Sequence, residues 1–267
     1  MTDQEHTQLI SSLCTQKQLE SSTFQYWAKR LGEQPDRLHR KIWEYSFISQ
    51  ALYERGLLAP SRTGLGFGVG KEPLASLFCS YEVKICATDA PFEVADKGNW
   101  VETGQFADGL EVLNERNLCP QAKFEQLCTY RKVDMNSIPD DLRGFDFVWS
   151  SCALEHLGSI QDGEEFIYNS LDCIKARGYA VHTTEFNISS NDGTLTSGNT
   201  VLYRKKDIER IVHNLNKAGH EIEVDYSDGK LPADRFIAEY PWDTDHLKLK
   251  IFDFVSTSIG LIVRKAG

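Results

Sequence analysis

The chain has 267 residues, with 39 Asp plus Glu against 29 Lys plus Arg and a formal net charge of −10. That length suits one large domain or two small ones, and 41 % apolar with 25 % charged residues supplies a sizeable core and excludes a disordered chain. The acidic balance argues against nucleic acid as a partner, because gripping a phosphate backbone needs clustered Lys and Arg.

The first eight residues are polar and carry Asp3 and Glu5. No apolar run approaches the roughly 18 residues that a membrane span needs. The seven cysteines are scattered with no C-x-x-C spacing, as expected of reduced thiols in a cytoplasmic protein. Residues 22–31 read as a short helix. In residues 37–55 the side chains Leu38, Ile42, Tyr45, Ile48 and Leu52 recur at helical spacing, with Asp36 placed to cap the start and Gly56 to stop it. Residues 1–60 are therefore expected to form a helical N-terminal extension.

From Arg62 onward strands alternate with helical stretches, the pattern of a parallel sheet covered on both faces. The expected strands are residues 63–67, 83–88, 127–133, 145–150 and 179–184. The expected helices are residues 72–79, 104–116 and 164–176, with a further one at 206–218 that Gly219 ends. Residues 187–200, rich in Ser, Asn, Gly and Thr, form a polar excursion without periodicity. Residues 220–225 and 258–264 read as a hairpin-like pair with a long insertion between them. The fold class is α/β, with residues 61–267 as its second unit.

The strongest motif is Gly64-Leu-Gly66-Phe-Gly68-Val-Gly70, where a first strand hands over to a first helix. Glycine serves there because the chain must turn tightly and because any Cβ would hold a ligand away from the backbone. A helix that follows presents N–H groups to an anion, and Pro73 suits its first turn. The dinucleotide spacing G-x-G-x-x-G fails, since Val69 and Lys71 stand where its last glycine would be. The phosphate loop also fails, since Glu72 follows Lys71 where Ser or Thr is needed. Asp89 and Asp134 then fall at the ends of the second and third strands, where each is either a turn cap or a ligand acceptor: Asp89 for both hydroxyls of a ribose, Asp134 for an adenine amino group.

Gly66-Phe-Gly68-Val-Gly70, Asp89, Asp134-Met135 and the segment from Phe145 to His156 together resemble the ordered motifs of class I S-adenosylmethionine-dependent methyltransferases. The resemblance runs from Arg62 to the final strand. It implies a Rossmann-like seven-stranded sheet with an antiparallel last strand. It also implies S-adenosylmethionine as cofactor, with the glycine loop under its methionine part, Asp89 on the ribose, and Asp134 with Met135 at the adenine. One departure stands out: many members carry an acidic residue two positions before the first glycine of G-x-G-x-G, where it holds the methionine amino group, and here that position is Gly64. Glu72 or Ser150 could fill the role. Trp43, Tyr45 or Trp100 could cover the cofactor, or belong to the core.

Ligands of open α/β sheets bind at the carboxyl ends of the strands, which here carry Ser150 to His156 and His182 to Asn187. Methyl transfer to a hydroxyl needs alignment and removal of a proton. His156 is the candidate base, because imidazole titrates near neutrality; the structural alternative is that it only fixes the turn. Glu155, His156, His182 and Glu185 would alternatively supply a mixed N/O metal set, although Cys152 stands where metal-dependent members carry a further acid. The acceptor is expected to meet His182, Glu185, Asn187, Trp242 and His246. The amides and hydroxyls of residues 187–200, with the rings of the insertion, suit a small-molecule or glycan hydroxyl. N-methyl transfer, a nucleotide oxidoreductase and a non-catalytic adenosyl-ligand binding protein are the alternatives.

Overall fold

The computed structural model describes residues 8–97, 102, 104 and 106–267; Trp100 lies outside them. The N-terminal extension is not purely helical, since Ser11–Leu13 forms strand β1, too short to show alternation in the sequence. Helix α1 (Gln16–Leu19) and helix α2 (Ser22–Arg30) start where the Thr15 and Ser21 hydroxyls accept from the Gln18 and Phe24 N–H. Helix α3 (Arg40–Tyr53) begins later than expected, because His39, not Asp36, is the cap and accepts from Lys41 N.

Strand β2 (Thr63–Phe67), helix α4 (Leu74–Ser80), strand β3 (Lys84–Asp89) and helix α5 (Phe92–Lys97) follow. In place of the helix expected over 104–116, the described residues hold one 3-10 turn at Leu110–Asn114. Helix α6 (Gln121–Leu127), unforeseen, leads into strand β4 (Cys128–Lys132). Next come strand β5 (Phe145–Ser151), helix α7 (Ile160–Asp172), strand β6 (Ile174–Asn187) and helix α8 (Lys205–Lys217). Helix α7 starts four residues early because the Ser159 hydroxyl accepts from Asp162 N. Helix α9 (Pro232–Arg235), strand β7 (Lys248–Ile251) and strand β8 (Phe254–Arg264) complete the chain.

Five strands run parallel in the order β4-β3-β2-β5-β6. Strand β8 lies antiparallel beside β6, and β7 antiparallel beside β8. Strand β1 and two-residue pieces at Val224–Asp225 and Ile237–Ala238 bring the sheet to ten strands among the described residues, extending the seven expected. The expected hairpin partner at 220–225 reduces to one bridge, Glu221 with Arg264, plus the pairing of Val224–Asp225 with β1. The hairpin is instead β7 with β8.

Both faces are covered by apolar packing, one with Trp27, Trp43, Phe47, Phe78, Phe124, Phe147 and Trp149, the other with Phe67, Phe166, Ile208, Ile211 and Leu261. All seven cysteines are unpaired. Among the described residues no helix is long and apolar enough to cross a membrane.

Candidate active site

A cavity of about 390 Å³ opens at the carboxyl ends of β2, β3, β4 and β5, within the size range of small-molecule sites. Its first wall is the loop after β2. Gly68 and Gly70 take positive φ of 56° and 49°, a region glycine enters without penalty. A Cβ on Gly68 would also lie 2.8 Å from the Ala153 Cβ and 3.2 Å from the Met135 sulfur. Val69 N donates to Thr88 O (3.1 Å), and the Thr88 hydroxyl donates to Gly66 O (2.7 Å), so the loop is tied to the end of β3.

Gly64 and Gly66 are glycines for a different reason. They sit inside β2 and do not line the cavity. A Cβ on Gly64 would fall 2.3 Å from Phe147 Cζ, and one on Gly66 2.4 Å from Trp149 Cζ2. The rings of β5 therefore take the space that a side chain at position 64 or 66 would need.

Asp89 lines the cavity and is buried. Its Oδ2 accepts from Gly70 N (3.2 Å) and Ala107 N (3.0 Å), and its Oδ1 from Ala90 N (2.8 Å). Burial pushes its carboxyl above the usual range, against the pull of these three donors. A carboxylate offers about four acceptor sites, so one remains for a ligand hydroxyl beside the three backbone bonds. Asp134 and Met135 lie on the same cavity, where Asp134 Oδ1 accepts from Asn136 N (2.9 Å).

Strand β5 delivers Ser151, Cys152, Ala153, His156 and Leu157 to the opposite wall. Cys152 holds φ of 46°, an uncommon conformation for a residue with a Cβ, which turns the chain sharply out of the strand. His156 is half-buried. Its Nδ1 faces the carbonyl of Asn199 at 2.6 Å, and a carbonyl only accepts. Nδ1 is thus assigned the proton, which leaves Nε2 as the accepting nitrogen.

Helix α3 closes the cavity with Lys41 and Tyr45. Beneath them Glu44 is fully buried, with its carboxylate 2.9 Å from Lys41 and 3.9 Å from Arg40, and it accepts from the Ser258 hydroxyl. Burial pushes this carboxyl up, but the two cations outweigh it and hold it at about 2. Glu72 faces Lys41 at 3.5 Å. There burial wins, and the carboxyl rises to about 8. Lys41 was not anticipated, because a lysine on a helix reads as a solvated face until the sheet is placed.

The acceptor residues expected from sequence do not join this cavity. His182 is fully buried with its ring between the hydroxyls of Ser150 (2.8 Å) and Ser170 (3.3 Å), and burial lowers it to about 3. Ser150 is thereby committed to His182 and does not reach the cavity. Glu185 is paired with Arg40 and accepts from the Ser256 hydroxyl. Asn187 holds the loop after β6, accepting from Ser189 N and Ser190 N and donating to Gly193 O. Trp242 donates to Lys250 O on a separate exposed surface. His246 packs on His39 with ring centres 4.9 Å apart. Trp43 is core, with its indole N–H on Gln18.

The mixed metal set also does not assemble, since His182 is sequestered. Among the described residues the donors that do converge are Cys152, Glu155 and Glu185, whose ligand atoms lie within 4.8 Å of one another. Arg40 already occupies Glu185, and Glu155 accepts from the Thr184 hydroxyl.

No protein-family model and no curated protein matches the sequence. Solved structures do match. The [4+2]-cyclase SpnF aligns over 82 % of this chain and 80 % of its own, at 16 % identity and a TM-score of 0.52. The glycopeptide N-methyltransferase MtfA aligns over 85 % and 97 %, at 12 % identity and a TM-score of 0.50. At such identities the likeness speaks for the fold: this chain has the fold of class I S-adenosylmethionine-dependent methyltransferases. One neighbour is a cyclase and the other an N-methyltransferase, so the fold by itself does not choose the reaction.

Proposed function

We propose that the protein is an S-adenosylmethionine-dependent methyltransferase acting on a hydroxyl of a small molecule or glycan, with His156 as general base. The observation that carries this reading is a single cavity that collects Gly68, Gly70, Asp89, Asp134, Met135 and His156. The cradle fits the cofactor in three respects. Gly68 leaves room a Cβ would fill, Asp89 retains one acceptor site for a ribose hydroxyl, and Asp134 with Met135 forms a polar and apolar edge for an adenine. When bound, S-adenosylmethionine supplies a methyl group on a sulfonium leaving group.

The chain's own residues then have three tasks. The loop at 68–70 and Asp89 fix the ligand's orientation, so that the acceptor approaches in line. Ala153, Leu157 and Phe106 on the lining exclude water from the reacting centre. His156 Nε2 takes the hydroxyl proton as the new carbon–oxygen bond forms, and its Nδ1–H stays on Asn199 O. This base favours oxygen over nitrogen as acceptor, because a neutral amine attacks without prior loss of a proton.

The test is transfer of labelled methyl from S-adenosylmethionine to a panel of hydroxylated metabolites and glycans. His156→Ala should lower kcat by about 10²- to 10⁴-fold with cofactor affinity unchanged. Undiminished kcat in the variant would move the acceptor to nitrogen or the proton to another base. Cofactor binding with no transfer to any acceptor class would favour the binding-protein reading.

A further inference from the structure

The methionine end of the proposed ligand carries an ammonium and a carboxylate, and the Gly64 position that holds the ammonium in many relatives has no room for a side chain. Ser150, the other group the sequence offers, is turned away onto His182. The cavity does contain an unsatisfied carboxyl group. Glu72 lines it, and its Oε2 is buried with no hydrogen-bond partner. A buried carboxylate oxygen without a donor is costly to keep, and an ammonium in the cavity would remove that cost.

Beside it, 3.5 Å from Glu72 Oε1, stands the Lys41 ammonium, which also lines the cavity. Lysine has three N–H donors, and Glu44 at 2.9 Å and Glu72 account for two of them. One stretch of wall therefore offers a carboxyl group and an ammonium side by side, which become the complement of an α-amino-acid zwitterion once the carboxyl gives up its proton. The groups facing Glu72 are Lys41, Glu44 and Tyr45 from α3 and Ser151 from β5. No other cation contacts its carboxylate among the described residues.

We propose that Glu72 and Lys41 form a zwitterion clamp, Glu72 taking the ammonium and Lys41 the carboxylate of the ligand's amino-acid end. This inference rests on the adenosyl-ligand reading above and adds a residue from the N-terminal extension to the site. It also makes the clamp the element that separates intact cofactor from adenosyl thioethers lacking that end. Burial holds the Glu72 carboxyl up at about 8 in the unliganded protein. An arriving ammonium favours the charged form, so binding near pH 7 should release a proton.

The experiment titrates wild type, Glu72→Gln and Lys41→Met calorimetrically with S-adenosylmethionine and with 5′-methylthioadenosine, which keeps the adenosine and a methylated sulfur, there a neutral thioether in place of the sulfonium, but has no amino-acid end. Glu72→Gln should weaken S-adenosylmethionine by on the order of 10- to 100-fold, leave methylthioadenosine within about twofold, and abolish the proton release seen in buffers of different ionisation enthalpy. Lys41→Met should act in the same direction. Unchanged S-adenosylmethionine affinity in Glu72→Gln, or equal losses for both ligands, would overturn the clamp and leave the adenosyl reading standing. Binding of neither ligand by wild type would overturn that reading and the clamp with it.

Discussion

Gly64→Ala tests whether core packing is what keeps position 64 a glycine. The added methyl would lie 2.3 Å from Phe147 Cζ, 2.5 Å from Cε2 and 3.0 Å from Ile85 Cδ1. Phe147 is fully buried and packs edge-on against Phe78, with ring centres 5.9 Å apart. It also lies 5.9 Å from Trp149, so the ring has nowhere to retreat. Overpacking of a core costs about 1–3 kcal/mol, and three contacts this short put the expected loss near 3 kcal/mol. For a chain of this size that is a fall in Tm of roughly 6–12 °C, read by calorimetry and checked by a denaturant midpoint at constant slope. Phe147→Leu removes the offending ring edge, so the double variant should be more stable than the sum of the single losses by at least about 1 kcal/mol. A Gly64→Ala protein melting within about 1 °C of wild type, or strict additivity in the cycle, would refute the packing account. Gly64→Asp would carry a charge into the same space, so restoring the acid should cost stability without improving cofactor affinity.

Asp89→Ala removes the acceptor of three backbone N–H groups and of the ligand hydroxyl, so S-adenosylmethionine affinity should fall at least about tenfold; an unchanged Kd in calorimetry would take Asp89 out of the site. His182 and Glu44 should each contribute to a loss of stability on acidification. His182 is held neutral to about 3 by burial, so the unfolded chain binds its proton first and stability drops from about pH 6.5 downward, by about 2.7 kcal/mol at pH 4.5. Glu44, held at about 2, contributes stability present above its unfolded value and lost as pH falls toward 2. Urea midpoints against pH should show the first loss flattened in His182→Gln and the second in Glu44→Gln; parallel curves would contradict both. Activity should survive chelation, because Arg40 already pairs with Glu185 and burial, reinforced by Glu155, pushes the Cys152 thiol well up and away from its metal-binding thiolate form. Loss on chelation with recovery on a divalent ion would refute that.

That Gly68, Gly70, Asp89 and Asp134 would meet at one cavity was legible because each is fixed by local chain direction: strand, turn and helix follow in order, and a residue ending a parallel strand faces the crevice. His156 reaches the same cavity from the turn after β5. The acceptor assignments failed together, because which face of β6 a side chain takes depends on the partner strand. His182 and Glu185 look alike in sequence, yet one is enclosed by Ser150 and Ser170 and the other is neutralised by Arg40 from a helix well over a hundred residues earlier. Trp242 and His246 went astray because β7 pairs with β8 and carries the insertion away from the cavity. The bounds of α3 and α7 moved with their caps, His39 and Ser159, which only the turn geometry selects.

The extension before β2 is built into the site. Strand β1 pairs with β8, Glu44 accepts from Ser258 of β8, and Arg40 pairs with Glu185 of β6. These buried charges anchor α3 across the sheet's carboxyl ends, and removing one partner of such a pair leaves an uncompensated charge. Lys41 and Tyr45 are therefore held as a fixed wall. The opposite wall meets His156 through Asn199, in an exposed polar loop pinned by the two-residue pairing of Gly158–Ser159 with Ser197–Gly198. A fixed wall suits the constant ligand and an adaptable one suits the variable ligand. On the proposed reading, residues 194–200 are where acceptor choice is made, because Asn199 holds His156, and substitutions there should change which acceptor is methylated while leaving cofactor affinity in place.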